Sequence, residues 1–310
     1  MQRGRHSLID WTEQLLRSVL FVPGIDERKL AKVGSFGADA IVIDLEDAVA
    51  DDQKIAARQT TRAAVPTYGD AGAAVVVRVN GITTGRMEGD IEAVVTPGLD
   101  AMMVPKVEDV ETLPRVDELL ADAERAAGIE VGTIRVLGLL ETPKALAHCE
   151  EILAAAPPRV HTAVFGAGDY TTELGIDLTR DATEILWARC RLVNAVRAAG
   201  LAAPIDGPWL ALEDVEGLEA DCRRARGLGY QGRVTVYPPQ VEVVLRAYSA
   251  LTDEEEQRAR QVIEEFEEAL ARDVASIRIA GRFVDYPIYR LAKARIARLD
   301  TWRARTEVAS

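Results

Sequence analysis

Two acidic residues, Glu141 and Asp169, have the type and spacing that metal-dependent chemistry needs. Each follows an apolar run, residues 136–140 and 164–168, that is typical of a strand buried on both faces. An acid at the carboxyl end of such a strand lies at the edge of a parallel sheet where ligands bind. Two carboxylates that converge there suit a hard divalent cation such as Mg²⁺, which keeps positions for water and substrate oxygens. The alternative for each acid alone is that it caps the following helix.

Arg78 is the cationic counterpart of these acids. It lies inside an otherwise apolar predicted strand, residues 75–81, where an unpaired guanidinium would be costly. We therefore expect Arg78 to face the same edge of the sheet and to bind an anion. Two acidic ligands with one guanidinium are what metal-dependent enzymes that act on oxyacids use. The alternative is an internal ion pair between Arg78 and the acids after the second strand, Asp44, Glu46 and Asp47.

Other polar residues at predicted strand ends are Asn80, Lys106, Glu108 and Asp206. Lys106 could form a Schiff base, but the nearby carboxylates favour a salt-bridging role. His148 and His161 are predicted to lie on a helix and in a loop, as ordinary structural residues. No Ser/His/Asp or Cys/His arrangement is indicated, and no G-x-G-x-x-G motif follows the first strand. The candidate chemistry therefore rests on carboxylates, an arginine and a metal ion.

The elements that would position these residues repeat one pattern eight times. Apolar, β-branched-rich runs predict strands at residues 18–24, 40–47, 75–81, 101–108, 134–143, 163–169, 203–209 and 231–239. Amphipathic segments predict helices at residues 27–36, 52–65, 88–95, 110–127, 144–155, 182–199, 215–228 and 240–249. Eight βα units in about 250 residues predict a TIM (β/α)₈ barrel. A doubly wound open sheet is the second choice, because it usually has fewer strands.

We expect the barrel to occupy residues 1–250 and a helical extension to occupy residues 251–310. Thr252 and Glu255 form a predicted capping box at the start of a charged helix that runs to about Ala271. A turn or hairpin at residues 278–287 and a last helix at residues 288–303 follow. This extension is too small for an independent core, so we expect it to pack against a neighbouring subunit or to cover an active site.

Composition points to an ordinary cytoplasmic protein. The chain has 310 residues, of which 48% are hydrophobic, and no apolar run is long enough to span a bilayer. The first residues lack the apolar segment of a secretory signal. Three cysteines, Cys149, Cys190 and Cys222, fit reduced thiols and show no metal-ligand spacing. The net charge of −13 argues against nucleic-acid binding but leaves an anionic substrate open.

Seven short motifs resemble the citrate lyase β-subunit-like family. They are LFVPG at 20–24, IDLEDAV at 43–49, VRVNG at 77–81, PKVE at 105–108, ETP at 141–143, GAGD at 166–169 and IDGP at 205–208. The resemblance extends from about Arg17 to Arg298, with the motifs in the family's order. This family is the branch of the HpcH/HpaI aldolase superfamily that includes malyl-CoA and citramalyl-CoA lyases.

The resemblance implies a TIM barrel that forms a homotrimer or a dimer of trimers. It implies Mg²⁺, with Mn²⁺ as the alternative, held by Glu141 and Asp169, and Arg78 on the oxygen of the keto acid or enolate. An acid in the extension of the neighbouring subunit supplies acid–base help in relatives, and Asp285 matches it; the alternative is that Asp285 caps the last helix. With Glu46 and Asp47 these form the expected catalytic set. Contacts to an acyl-CoA thioester and a 2-keto acid are expected from Arg28, Lys29, Asn80, Lys106 and Pro143.

Three departures from the family pattern concern the substrate more than the reaction class. The family's strand-eight histidine is replaced by Tyr237, in a segment where Arg233 keeps a positive charge. The loop at residues 24–29 differs from the common form, although Arg28 stays available for a phosphate. Gly168 stands where an acid often precedes the metal aspartate.

The expected reaction is Mg²⁺-dependent cleavage or formation of a 3-hydroxyacyl-CoA such as malyl-CoA or citramalyl-CoA. Three alternatives stay open. The first is a hydrolase of a malyl-CoA-type thioester. The second is a citrate lyase β-subunit that acts on a carrier-protein thioester. The third, ranked low, is an aldolase with a histidine base.

Overall fold

The computed structural model describes residues 11, 15–68 and 72–308, with side chains up to residue 304. The chain divides into two compact units, the first ending at Tyr248 and the second beginning at Ser249.

The first unit is a closed barrel of eight parallel strands in sequential order, as the eightfold pattern predicted. Its strands are β1 (Ser18–Pro23), β2 (Ala40–Asp44), β3 (Ala74–Arg78), β4 (Ala101–Val104), β5 (Arg135–Leu140), β6 (Val160–Phe165), β7 (Ile205–Asp206) and β8 (Gly232–Thr235). β8 pairs with β1 and closes the barrel. The TIM-barrel prediction is confirmed.

Helices cover the outside of this barrel. They are α1 (Glu27–Val33), α2 (Lys54–Ala64), α3 (Met87–Val94), α4 (Thr112–Ala127), α5 (Pro143–Ala147), α6 (Cys149–Ala154), α7 (Ala167–Leu174), α8 (Leu186–Ala198), α9 (Val215–Leu228) and α10 (Gln240–Ser249). Two apolar clusters explain why the strands have consecutive apolar residues. Side chains such as Val42 and Val76 belong to one cluster, whereas Ile41 and Val75 belong to the larger cluster that includes the helices.

The strands end earlier than the apolar runs predicted. β4 ends at Val104, before Pro105, and β6 ends at Phe165, so the residues that follow are not in strand conformation. Asp169 therefore lies in the first turn of α7 and not at the end of β6. The predicted helix 144–155 is interrupted at His148, which lies between α5 and α6. His161 lies on β6, which corrects the prediction of a loop.

The second unit contains α11 (Asp253–Leu270), a hairpin of β9 (Ser276–Ile279) and β10 (Arg282–Asp285), and α12 (Tyr286–Val308). The capping box of Thr252 and Glu255 is present at the start of α11, as predicted. Phe266 of α11, Val284 of the hairpin and Ile296 of α12 belong to one small apolar cluster. Among the described residues, no helix is long and apolar enough to cross a membrane.

Candidate active site

Arg78, the last residue of β3, is held by the acid that ends the neighbouring strand. β2 and β3 are in register at Asp44 and Arg78. The guanidinium Nε and Nη2 each donate to one Asp44 oxygen at 2.7 Å. Asp44 in turn accepts the backbone N–H groups of Glu46 and Ala48, at 2.9 and 3.0 Å. Arg78 thus has a fixed position, and Nη1 is the guanidinium nitrogen that Asp44 does not bind.

Two further acids surround this Nη1. Glu46 Oε2 lies 2.9 Å away and Asp47 Oδ2 lies 3.6 Å away. Glu46 is buried, and burial raises the pKa of its carboxyl to about 7, although Arg78 opposes that rise. Asp47 is mostly exposed. The internal ion pair that was the alternative for Arg78 is therefore present, because Asp44, Glu46 and Asp47 all lie within 3.6 Å of the guanidinium.

The loop that carries Glu46 and Asp47 is fixed by Lys54, which the sequence did not indicate, and by Asn80, which was predicted to contact the ligand. The buried Lys54 ammonium donates to the carbonyl oxygens of Leu45 and Glu46, at 2.8 and 2.6 Å. Asn80 Nδ2 donates to Leu45 O at 3.1 Å and to Asp90 at 2.7 Å. Because its amide nitrogen supports this loop, a contact between Asn80 and substrate stays a prediction. Lys54 gave no sequence signal, since a lysine in a first helical turn is usually exposed.

Glu141 follows β5 directly and is almost completely buried. Its Oε1 accepts the backbone N–H of Lys106 at 2.9 Å. Burial and, second, the charge of Asp169 raise the pKa of Glu141 to about 9. A Cβ atom on Gly166 would lie 2.2 Å from Glu141 Cβ, so only glycine allows this close approach. Neither acid is an N-cap, because Thr142 caps α5 and Gly166 precedes α7.

These two acids fit a hard divalent cation. Burial and the charge of Asp169 both oppose ionisation of Glu141. A bound Mg²⁺ ion would supply the positive charge that stabilises both carboxylates. Among the described residues, no group of three or more His, Cys, Asp or Glu side chains is arranged to hold a metal. Two protein carboxylates would leave the other positions to water and substrate oxygens, as Mg²⁺ prefers.

Lys106 brings a positive charge to the same region. Burial lowers the pKa of its ammonium, but Glu46, Glu141, Asp169 and Asp47 together raise it overall. A Schiff-base lysine needs a lowered pKa, so this environment favours the salt-bridging role. Lys106 has a φ of 50°, in the left-handed region that non-glycine residues rarely adopt. Lys106 lies in the loop after β4, two residues beyond the end of the strand at Val104.

A cleft of about 850 Å³ lies beside Arg78. Its lining includes Arg28, Lys29, Phe36, Asp47, Arg78 and Tyr237. Arg28 and Lys29 on α1 are exposed, and Lys29 lies 3.4 Å from Asp26. The cleft thus combines basic and acidic side chains with apolar and aromatic walls. The exposed Arg28 and Lys29 are positioned to contact an anionic ligand that also has an apolar part.

Pro143, Arg233 and Asp285 are the remaining residues that the sequence singled out. Pro143 is the first residue of α5, two residues after Glu141. Arg233 is completely buried and paired with Asp206 and Asp221, so its charge does not reach the cleft. Asp285 ends β10 in the second unit, opposite Ser276, and its side chain is partly exposed. Its catalytic role stays a prediction.

Comparison with known proteins identifies the class. Residues 17–238 match the model of the HpcH/HpaI aldolase/citrate lyase family, and the chain belongs to this family. It is 36% identical to the citrate lyase subunit beta of Leuconostoc mesenteroides over 276 residues, which cover 89% of this chain and 90% of that one. It is 34% identical to a (3S)-malyl-CoA thioesterase of Cereibacter sphaeroides over 269 residues, 87% and 89% of the two chains.

A solved structure with the same fold is CitE from Mycobacterium tuberculosis in complex with magnesium, acetoacetate and coenzyme A. The TM-score is 0.75 at 28% identity, and the alignment covers 92% of this chain and 98% of that one. The chain is thus an enzyme of the citrate lyase β-like group of oxo-acid lyases.

Proposed function

We propose that the protein is a Mg²⁺-dependent carbon–carbon lyase that cleaves, or forms, a 3-hydroxyacyl-CoA thioester such as malyl-CoA or citramalyl-CoA. The observation that carries the proposal is the arrangement around Arg78 Nη1. Asp44 commits the other two donor positions of the guanidinium, and Glu46 lies 2.9 Å from Nη1. A single oxygen that gains or loses negative charge is the ligand this nitrogen suits.

In the cleavage direction the C2–C3 bond of the thioester breaks. The hydroxyl on C3 loses its proton and becomes the carbonyl of a 2-keto acid, and the acyl-CoA enolate that leaves must gain a proton. Arg78 Nη1 would bind the oxygen that becomes the carbonyl. Glu46 Oε2, beside Nη1 and with a pKa raised to about 7, would accept the hydroxyl proton. Asp47 would help to hold Arg78 in place.

Glu141 and Asp169 would hold the Mg²⁺ ion. When bound, this ion supplies Lewis-acid stabilisation to the hydroxyl and carboxylate oxygens of the substrate. Lys106 would add a positive charge beside the same carboxylates, and its N–H fixes Glu141. Support for the metal comes from the raised pKa of Glu141 and from the magnesium in the CitE complex named above.

The CoA moiety would bind in the cleft beside Arg78. Arg28 and Lys29 would contact its phosphates, and Tyr237, which stands where the family often has histidine, would contact the remainder of the ligand. Pro143 and Asn80 would shape the region near the keto acid. Support comes from the coenzyme A in the CitE complex and from the exposed Arg28 and Lys29 beside the apolar walls of the cleft.

Asp285 would supply the proton to the enolate, from the extension of a neighbouring subunit in a homotrimer or a dimer of trimers. Asp285 is the last residue of β10, immediately before α12, and its partly exposed side chain is accessible to a neighbouring subunit. It is the part of the mechanism that depends on assembly.

Hydrolysis of the thioester is the second candidate, because a malyl-CoA thioesterase is similar to this chain over most of its length. Identification of the products from malyl-CoA by mass spectrometry separates the two reactions. Glyoxylate and acetyl-CoA would support the lyase, whereas malate and free CoA would support the hydrolase. No turnover of any free malyl-, citramalyl-, methylmalyl- or citryl-CoA, with or without Mg²⁺, would favour a subunit that acts on a carrier-protein thioester.

A further inference from the structure

Strand β7 is held in the barrel by unusually few backbone contacts. It consists of Ile205 and Asp206 only, and it pairs with β6 through the single pair Val164–Ile205. Its pairing with β8 covers Ile205 and Asp206. The chain leaves β7 at Gly207, on the side of the barrel where Glu141 and Asp169 follow β5 and β6. The position of the chain at Gly207 must therefore depend on contacts other than the backbone hydrogen bonds of β7.

Four buried charged side chains connect β7 to its surroundings. Asp206 pairs with Arg189 of α8, at 2.8 Å, and with Arg233 of β8. Asp221 of α9 pairs with the same two arginines, at 2.6 and 2.5 Å. All four side chains are at most 3% exposed. Two acids face two arginines, and each of the four charges has two partners within the set. Asp221 also accepts a hydrogen bond from the exposed Arg224 at 3.0 Å. We call these four residues the β7 charge network.

The network acts directly on Gly207. Asp206 Oδ1 accepts the Gly207 backbone N–H at 3.0 Å, and Arg189 Nε donates to the same oxygen at 3.2 Å. Asp206 thus fixes both the strand and the peptide that leaves it.

Gly207 packs against the turn that leads to Asp169. A Cβ atom on Gly207 would lie 2.9 Å from Ala167 Cβ, 2.9 Å from Phe165 O and 3.0 Å from Ala167 N. Real Cβ atoms essentially never approach backbone this closely, so the two peptide segments are in direct contact only because residue 207 is glycine. Ala167 begins α7, and Asp169 lies two residues further along its first turn.

We propose that the β7 charge network positions Asp169 for metal binding, through the contact of Gly207 with the turn at Ala167. Asp206 and Asp221 are therefore positioning residues that do not touch the metal. The charges hold Gly207, Gly207 limits where the first turn of α7 can lie, and that turn carries the carboxylate. This inference rests on the proposed role of Asp169 as a metal ligand.

Metal affinity, measured without substrate, tests the inference. Mn²⁺ binding to the full-length protein is measured by electron paramagnetic resonance of the free ion, for the wild type and for Gly207→Ala. We expect the affinity of Gly207→Ala to fall tenfold or more, since changes in the residues that orient metal ligands cost about 10–100-fold. The matched control is Gly227→Ala in α9, where a Cβ atom meets nothing within 4 Å, and its affinity should equal that of the wild type.

A second pair of variants keeps the test decisive if Gly207→Ala does not fold. Asp221→Asn weakens the network from α9, without altering Gly207 or β7. Its control is Glu124→Gln, which weakens another buried ion pair, with Arg159, remote from this network in sequence. Both variants should lose stability, but only Asp221→Asn should lose Mn²⁺ affinity.

Each outcome separates the inference from the proposed function. If the wild-type protein binds no Mn²⁺ or Mg²⁺, the metal site itself is wrong and the inference falls with it. If the wild type binds and folded Gly207→Ala or Asp221→Asn binds equally well, the metal site stands and the positioning role is wrong. An equal loss of affinity in Asp221→Asn and Glu124→Gln would also overturn the inference, because it would reflect general destabilisation.

Discussion

Arg78 owes its fixed orientation to Asp44, and this changes what the guanidinium can do for a ligand. Two of its nitrogens are occupied by one carboxylate, so it cannot present a two-pronged fork to a second carboxylate. It presents Nη1 with Glu46 beside it. An arrangement of this kind recognises one oxygen at a defined point, which is what stabilisation of a developing charge requires.

Arg78→Lys should lose roughly a hundredfold or more in turnover, by comparison with removal of an oxyanion donor. A single ammonium cannot both satisfy the two Asp44 oxygens and reach the point that Nη1 occupies. Steady-state kinetics on the active CoA thioester measure the effect, with circular dichroism to check the fold. The exposed Arg125→Lys serves as control and should be unaffected. A lysine variant within a few-fold of wild type would reduce Arg78 to a structural role.

Glu141→Gln should abolish turnover and, in the absence of metal, should stabilise the protein. The folded-state pKa of Glu141, about 9, lies above its ordinary value of 4.5. The unfolded chain therefore releases this proton first, and stability falls as the pH rises from about 4.5 towards 9. Glutamine removes that cost together with the metal ligand.

Chemical unfolding in EDTA at pH 6 and pH 8 measures this effect. The wild type should lose stability between the two pH values, and Glu141→Gln should lose less. Added Mg²⁺ should stabilise the wild type and not the variant. Asp169→Asn should likewise lose turnover. Near-normal turnover of either variant at low Mg²⁺ would contradict the assignment of the metal ligands.

At the scale of elements, the apolar runs predicted which strands exist but not where they end. Runs such as 101–108 continue past the last paired residue because the loops behind them are also buried, as at Val107. Asp169 was placed at a strand end for the same reason. What the sequence could not indicate is the support of the loop after β2, because Lys54 and Asn80 donate hydrogen bonds to the backbone carbonyl oxygens of that loop. Such contacts depend on three-dimensional proximity and leave no spacing pattern.

His161 is a buried histidine on a barrel strand, and its environment makes the stability of the protein depend on pH. It lies on β6, with its ring 4.8 Å from that of Trp11, and its Nε2 is buried without a hydrogen-bond partner in the described residues. Burial and, second, Arg135 lower its pKa to about 4. The unfolded chain therefore binds a proton at His161 near pH 6.5, whereas the folded protein binds it only near pH 4. The free energy of unfolding consequently falls as the pH falls from about 6.5 towards 4.

The wild type should accordingly lose about 2 kcal/mol more than His161→Phe between pH 7 and pH 5. Phenylalanine keeps a ring against Trp11 but cannot be protonated. The measurement is the free energy of unfolding in urea at the two pH values for both proteins. Parallel losses in the two proteins would show that His161 is protonated in the folded state.

At the scale of the whole molecule, Asp285 tests whether the active site is shared between subunits. Asp285→Ala should lose activity while it keeps Mn²⁺ binding and its oligomeric state. Mixed with Arg78→Ala under conditions of subunit exchange, it should regain part of the activity, because some sites would combine an intact Arg78 with an intact Asp285 of a neighbour.

Hetero-oligomers are verified by native mass spectrometry, and Glu268→Ala, an exposed change in α11, is the control for the second unit. No recovery in verified hetero-oligomers would mean that Asp285 acts within its own subunit or has no catalytic role.

Lys106 constrains how this site can evolve. A lysine at φ 50° costs about 1–2 kcal/mol relative to an ordinary backbone conformation. The position performs two tasks of different chemical origin, since the N–H to Glu141 comes from the main chain and the positive charge from the side chain. Glycine or asparagine would keep the first task with less strain, whereas Val, Ile and Thr would lose it. Substitutions accepted at this position should therefore be ones that remove the positive charge but keep the backbone conformation and its hydrogen bond to Glu141.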